Sequence, residues 1–416
     1  MRTPFRFTAL LALTTALALG AGFVLGVFAA PRLRPVPPIA VPASAPVAPS
    51  AATAIYTPVT YTALAGWQDD DLTAAREALQ QSCIAFGSRD PETVIGKEQA
   101  ARPAKAWRAA CDEVLKSQDA AAFRQALERA FEPLAVASGA GDDQGTFTGY
   151  YESELRGALT RDARFHVPVY GVPRDLIAAD LTAFLPTVPP GMPRQIIGRV
   201  ATDKDRPRFT PYFTRAEIDA GAVANAADVL IWADDPVDVH ILHIQGSGRV
   251  TLADGARVRL GFAGSNGQRF QGIGSILIKA GVLKAGEATM DNVRAWLRDH
   301  PAEAARYMNE NNRYIFFQLR PDDTSGPIGA LGMPLTAGRS IAVDPEAIPL
   351  GAPVWLATVD PDGKTLQRLV FAQDTGAAIT GAVRGDYYWG AGEPAFRMAA
   401  RMKSRGRYAV LVPRLP

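Results

Sequence analysis

A chain of 416 residues with 44 Lys and Arg against 42 Asp and Glu is nearly balanced in charge, which excludes the basic footprint that nucleic-acid binding needs. Its apolar fraction, 48%, is that of a soluble protein once an apolar N-terminal run is set aside. The roughly 360 residues behind that run suffice for two domains.

The chain opens with Arg2 and Arg6 and no acid, then runs from Phe7 to Ala30 without a charge. A basic start ahead of an apolar stretch is an export signal, and about 24 residues are also enough to span a bilayer. A cut after Ala29 or Ala30 is open, but Pro31 directly behind disfavours it. Residues 1–30 are therefore read as a signal or anchor segment, with retention favoured. No cysteine near its end could carry a lipid. Residues 31–55 are rich in Pro and Ala, cannot bury a core, and are expected to form an extended tether. The globular part is thus expected outside the cytoplasm, in a periplasm, held to a membrane where the first segment is kept.

Helices come next. Asp69–Phe86 carries Leu72, Ala75, Leu79, Cys83 and Phe86 at helical spacing, Trp107–Leu115 repeats the pattern, and Asp119–Leu134 reads as a third helix. Cys83 and Cys111 fall one on each of the first two, which in an exported chain predicts a disulfide between them. Two buried free thiols are the alternative. A catalytic thiol is not expected, because neither window supplies a base or a basic neighbourhood.

After Gly139 the pattern turns to strands. Thr146–Glu152 puts Thr148, Tyr150 and Glu152 on one face. His166–Val172, Leu230–Trp232 and Val237–Gln245 read as strands, and Arg215–Ala220 as a short helix. His240 and His243, three apart in such a strand, point to opposite faces; with no cysteine or carboxylate at ligand spacing, no metal is expected. Gln245-Gly246-Ser247-Gly248 closes that strand, either as a hairpin turn or as a segment that lets a ligand approach the backbone. Arg249–Phe262 fits a hairpin through Asp254-Gly255. Ile273–Ala280 and Met290–Leu297 read as helices, Tyr307–Leu319 as an Asn-rich turn feeding an aromatic strand, and Thr336–Leu356 and Arg407–Val412 as β. Many short strands with few helices argue for barrels or compact β-domains rather than a doubly wound sheet.

The chemistry-bearing stretch is Leu369–Glu393. The apolar run Leu369–Ala372 reads as a buried strand that delivers Asp374, with Thr375-Gly376 behind it. Asp386 then enters a cluster of rings, Tyr387, Tyr388 and Trp389. An apolar setting raises a carboxyl pKa and makes the group a useful proton donor near neutrality. The plainer account of an Asp after a strand is a turn residue bonding its own backbone. Asp374-Thr375-Gly376 also matches the aspartic-protease signature, but a single-chain protease needs a second copy. Asp323-Thr324-Ser325-Gly326 has an extra residue and no apolar strand before it.

Six stretches taken in order, TGYYE, HIQGSGRVTLADG, FAGSNGQRFQGIGSILI, NNRYIFF, RSIAVDPEAIPLG and AQDTGAAITG…GDYYWG, resemble the membrane-bound lytic transglycosylase A family over about two-thirds of the chain. The last two also resemble a three-aspartate module of murein-acting proteins, with Asp344, Asp374 and Asp386 as its acids. The resemblance implies a mainly β fold with N-terminal helices. A double-psi β-barrel domain would be built from residues 56–154 and 319–416, with a smaller β-domain, residues 155–318, inserted into it and a glycan groove between the two. It implies cleavage of the β-1,4 bond between N-acetylmuramic acid and N-acetylglucosamine without water, giving 1,6-anhydro ends. Asp386 would be the catalytic acid and then base, with Asp374 and Asp344 in support. No cofactor is implied. The expected partners are peptidoglycan glycan strands and other cell-wall synthesis or division proteins, and the chain is expected to be a monomer.

On the substrate side, Thr148, Gln245 and Ser247 are candidates to bond sugar groups. Tyr150, Tyr388 and Trp389 are candidates to stack on sugar faces, with core packing the default for any ring. The chain departs from the family pattern at Gly376-Ala377, where two glycines are common, at the aromatic Tyr387, and in lacking the lipid-anchor cysteine. A murein-binding scaffold with a silent site is the rival reading; the presence of all three acids argues against it.

Overall fold

The computed structural model describes residues 54–415 apart from 186, 190–191, 204–205 and 323–325. The expected export segment, all but the end of the tether and Asp323-Thr324-Ser325 lie outside the described residues.

The described chain begins with β1 (Ala54–Pro58), α1 (Arg76–Gly87), the short pair β2 (Val94–Ile95) and β3 (Arg102–Pro103), α2 (Ala104–Leu115) and α3 (Ala120–Ala130). Strands β4 (Phe131–Ser138) and β5 (Gly145–Ala158) follow, then β6 (Val167–Tyr170), β7 (Ile177–Asp180), β8 (Gln195–Asp203), β9 (Arg206–Pro211), α4 (Arg215–Asp219) and β10 (Val229–Ala233). Next come α5 (Pro236–Gln245), β11 (Gly248–Leu252), β12 (Arg257–Ser265), α6 (Ile273–Lys279), α7 (Met290–Asp299), α8 (Pro301–Asn309) and β13 (Ile315–Pro321). The chain closes with β14 (Ser340–Val343), β15 (Pro353–Val359), β16 (Thr365–Asp374), β17 (Arg384–Ala391), α9 (Gly392–Ala399) and β18 (Lys403–Pro413). The fold is mostly β with some helices.

Six strands close a ring in the order β18, β15, β16, β14, β17, β5 and back to β18. Two contacts are parallel, β14 with β16 and β5 with β17; the others are antiparallel. Closure leaves no free edge within the ring. The side chains of Phe147, Ile341, Val354, Phe371 and Leu411 are fully buried in its core, each contributing about 1.5–3 kcal/mol by leaving water. The apolar run in β16 is continuous because both its faces are covered. Helix α1 packs on β16, where the buried Gln373 Nε2 donates to Ala78 O (2.7 Å) and Ser82 Oγ (3.1 Å). A disulfide joins Cys83 of α1 to Cys111 of α2, with Cα atoms 5.8 Å apart.

Strand β5 is shared. Its first half pairs with β17 and β18, and its second half, Ser153–Gly157, runs parallel to β11 in a second sheet continued by β12 and β13. Where the strand changes partners sits Glu152, fully buried, with Arg259 at 2.7 Å and Arg249 at 3.0 Å. Burial raises its pKa, and the two guanidinium charges oppose the rise. The ion group thus fixes β5 against β11 and β12 next to the acids. The boundaries expected at 154/155 and 318/319 fall inside β5 and β13.

Several expectations are corrected. Val237–Gln245 is not a strand but most of helix α5. Asp235 caps it, its side chain accepting from Val237 N at 2.8 Å, Pro236 occupies the first turn, and Gly246 ends it in the left-handed region at φ +79°. His240 and His243 therefore lie on neighbouring turns rather than opposite faces. Both are buried and held well below the usual imidazole pKa by that burial, so they stay neutral. Gln245–Gly248 is accordingly a helix end and not a hairpin turn. The third helix stops at Ala130, and Phe131–Leu134 already belongs to β4.

Candidate active site

The two acids are brought together by strand register. Ala342 of β14 lies opposite Asp374 of β16 on one side and opposite Asp386 of β17 on the other. Residues paired across adjacent strands project from the same face, so both carboxylates leave one face, their backbones two strand spacings apart, about 10 Å. On the far side of β17, Asp386 pairs with Thr148 and Tyr388 with Tyr150 of β5. The floor of the site is thus β16, β14, β17 and β5 in order.

Asp374 accepts three hydrogen bonds. The backbone N–H groups of Ala330 and Thr375 both donate to Oδ1 at 2.9 Å, and the Tyr150 hydroxyl donates to Oδ2 at 3.0 Å. Burial nevertheless pushes its pKa up to about 6, with the charge on Asp386 adding to the rise. Asp386 is also raised by burial, opposed by the Thr148 hydroxyl and the Arg384 charge. Arg384 Nη2 donates to Thr148 Oγ1 (2.8 Å), which donates to Asp386 Oδ1 (2.6 Å). Among the described residues, Oδ2 of Asp386 accepts no hydrogen bond. Tyr150 is driven well above the ordinary phenol range, by burial and then by the two acids, so its hydroxyl remains a donor.

Asp344 is buried and holds the chain between the acids. Its Oδ2 accepts from Gly381 N (2.7 Å) and another oxygen from Glu346 N (3.0 Å). Asp344 and Asp374 line a cavity of about 520 Å³, together with Gln245, Ser247, Phe262, Arg313 and Arg320. Asp386 is not among the residues that line it, and two further cavities, of about 520 and 580 Å³, contain neither acid.

The expected substrate-side residues divide. Gln245 and Ser247 line the cavity, although Gln245 Oε1 also accepts from Tyr151 N at 3.2 Å. Thr148 and Tyr150 spend their hydroxyls on Asp386 and Asp374, which makes them positioning residues for the acids. Tyr388 is 3% exposed, its ring 5.2 Å from that of Tyr150, with no face left for a sugar. Trp389 packs against the core, and its Nε1 donates to Met402 Sδ (3.3 Å). Of the rings that follow Asp386, Tyr388 shares its face of β17, while Tyr387 projects from the other, its hydroxyl donating to Gly338 O at 2.8 Å. Sequence reasoning missed Phe262, half exposed on the cavity wall, as well as Arg313, Arg320, Arg384 and the Ala330 N–H. Each acts through a contact distant in sequence, and no local signal marks any of them. Among the described residues no cluster of His, Cys, Asp and Glu is arranged to hold a metal.

Two family patterns match the chain: the MltA specific insert domain over residues 146–318 and the 3D domain over residues 339–412, which contains Asp344, Asp374 and Asp386. A protein named membrane-bound lytic murein transglycosylase A from Escherichia coli K12 is 31% identical over 273 residues, covering 64% of this chain and 65% of the relative. The chain thus spans slightly under two-thirds of that relative's length. Among solved structures, MltA from Neisseria gonorrhoeae is 33% identical with a TM-score of 0.71, over 86% of this chain and 93% of its own. A membrane-bound lytic murein transglycosylase from Agrobacterium tumefaciens is 28% identical with a TM-score of 0.74, over 86% of this chain and 97% of its own.

Proposed function

The chain belongs to the membrane-bound lytic murein transglycosylase A family, and we propose on that premise that it cleaves the β-1,4 bond between N-acetylmuramic acid and N-acetylglucosamine in peptidoglycan without water. The muramyl 6-hydroxyl would attack its own C1 and leave a 1,6-anhydro end. An ordinary glycosidase needs one carboxyl group to protonate the leaving oxygen and another to activate water or act as nucleophile. Here the nucleophile is tethered to the substrate, so effective concentration replaces most of the second group's work. One carboxyl group can protonate the leaving oxygen and then accept the 6-hydroxyl proton.

The observation that carries the assignment is the asymmetry between the two acids. Asp386 Oδ2 accepts no hydrogen bond among the described residues and is open to a proton, whereas a proton on Asp374 Oδ2 would require the Tyr150 hydroxyl to turn from donor to acceptor. Asp386 is therefore the acid and then the base. Asp374, an anion above its own pKa of about 6, stabilises positive charge developing on the sugar. Gln245 and Ser247 bond the glycan in the cleft. The six-stranded ring is read as a double-psi barrel formed by residues 56–154 and 319–416, with residues 155–318 as the inserted domain. The protein works in the cell envelope, on the periplasmic side, tethered through its N-terminal segment.

The test is the Asp386→Asn variant on purified sacculi. It keeps the shape of the side chain and removes the titrating proton, so it should bind glycan and lose roughly 10²–10⁴-fold in turnover. Near-normal turnover in Asp386→Asn beside an inactive Asp374→Asn that still binds glycan would reverse the assignment.

A further inference from the structure

Two cations on the cavity lining, Arg313 and Arg320, have no counter-charge among the described residues. Arg313 lies in the turn between α8 and β13. That turn is fixed from beneath by the buried Arg215, whose Nη2 donates to Arg313 O (2.8 Å) and whose Nε donates to Asn311 O (3.1 Å). His243 Nδ1 meets the same guanidinium at 2.9 Å. The backbone of Arg313 is thus immobilised while its own guanidinium is left on the cavity wall.

Arg320 reaches the same cavity from β13. Its stem crosses Gly261 of β12, where an added Cβ would lie 3.0 Å from Nε and 3.2 Å from Cδ. Any larger residue there would crowd the arginine on this path. Its Nε is buried and has no hydrogen-bond partner. Among the described residues neither guanidinium is in an ion pair. Burial alone lowers the pKa of Arg313, with no acid nearby to offset it.

A partly buried charge without a partner is unfavourable unless a ligand supplies one. The planar guanidinium fork matches a carboxylate with two parallel bonds. The cleft is therefore bipolar, with Asp344 and Asp374 in one part of its lining and Arg313 and Arg320 in another. The sugar backbone of a murein strand is neutral. Its charges hang from the lactyl branch at O3 of the muramyl unit, as the lactyl carboxylate of bare glycan or as the carboxylates of an attached peptide.

We propose that Arg313 and Arg320 form an anion site that takes a carboxylate carried on this lactyl branch, and so set which muramyl units enter the cleft. The inference rests on the transglycosylase reading above. It makes the two arginines specificity residues that bind beside the scissile bond and take no part in proton transfer.

The test uses the full chain and four glycan substrates: peptide-bearing strands, strands stripped by an amidase to the free lactyl carboxylate, and each of these after conversion of its carboxylates to carboxamides. Wild type should lose roughly tenfold in KM on amidation, the scale of one charge-assisted bond. The arm that shows the loss identifies whether peptide or lactyl carboxylate is read. Arg313→Gln and Arg320→Gln should shrink that loss to about twofold, and Arg313→Lys and Arg320→Lys should restore only part of it, because the charge returns without the planar fork. A wild-type KM indifferent to amidation in both arms overturns the anion site, whatever the variants do. So does a full amidation loss in the glutamine variants. Absence of cleavage by wild type on all four substrates would strike the transglycosylase reading itself, a result distinct from either.

Discussion

Replacing Asp374 by Asn should stabilise the protein near neutral pH and leave it unchanged in acid. The carboxyl pKa stands at about 6 in the fold against an ordinary 3.8, so the folded state binds this proton more tightly than the unfolded chain. The stabilisation that follows is fully present below about pH 4 and is lost as pH rises through about 6. At pH 7 the wild type therefore bears the burden of a desolvated anion. The rise from 3.8 to about 6 corresponds to ~3 kcal/mol at most, and the partial exposure of the Asp374 side chain reduces this to roughly 1–2 kcal/mol. Asparagine keeps Oδ1 for the Ala330 and Thr375 N–H groups and turns its amide towards the Tyr150 oxygen, so the packing survives. Thermal unfolding at a series of pH values is the assay. The variant should melt roughly 2–4 °C above wild type at pH 7, with the gain vanishing near pH 4. An equal gain at both pH values, or a loss at pH 7, would refute the reasoning, since neither follows from the charge.

Thr148→Val removes the hydroxyl that links Arg384 to Asp386 while keeping the β-branched shape of the strand; kcat should fall and the pH–rate profile should shift, whereas a purely structural residue would leave the profile in place. Cys83→Ser with Cys111→Ser opens a loop whose ends are 28 residues apart and should destabilise the protein by about 3–4 kcal/mol in denaturant unfolding, or by less where the reduced chain keeps structure.

Much of this arrangement was legible because it is local. The alternation in Thr146–Glu152 gave the face shared by Thr148, Tyr150 and Glu152, and the apolar run ahead of Asp374 gave the buried strand that carries it. Helix α5 was hidden because VDVHILHIQ is apolar on nearly every side and β-branched, which erases the helical period. Its caps, Asp235-Pro236 and Gly246, were visible and outvoted by that pattern. The rings after Asp386 were visible but their directions were not: strand alternation leaves Tyr388 on the face of Asp386, turns Tyr387 to the other, and sets Trp389 against Met402. The Ala330 donor to Asp374 and the cavity-lining Arg313 and Arg320 join the site only after β13 and β14 have paired in different sheets. No local pattern encodes that meeting.

The central claim is that the glycosidic bond is broken without water, and it is tested most directly by digesting purified sacculi in water labelled with heavy oxygen. The muropeptides released should end in 1,6-anhydromuramic acid, one water lighter than hydrolysed ends, and carry no label. Reducing muramic ends with heavy oxygen at C1 as the main product would contradict it and make the protein a hydrolase.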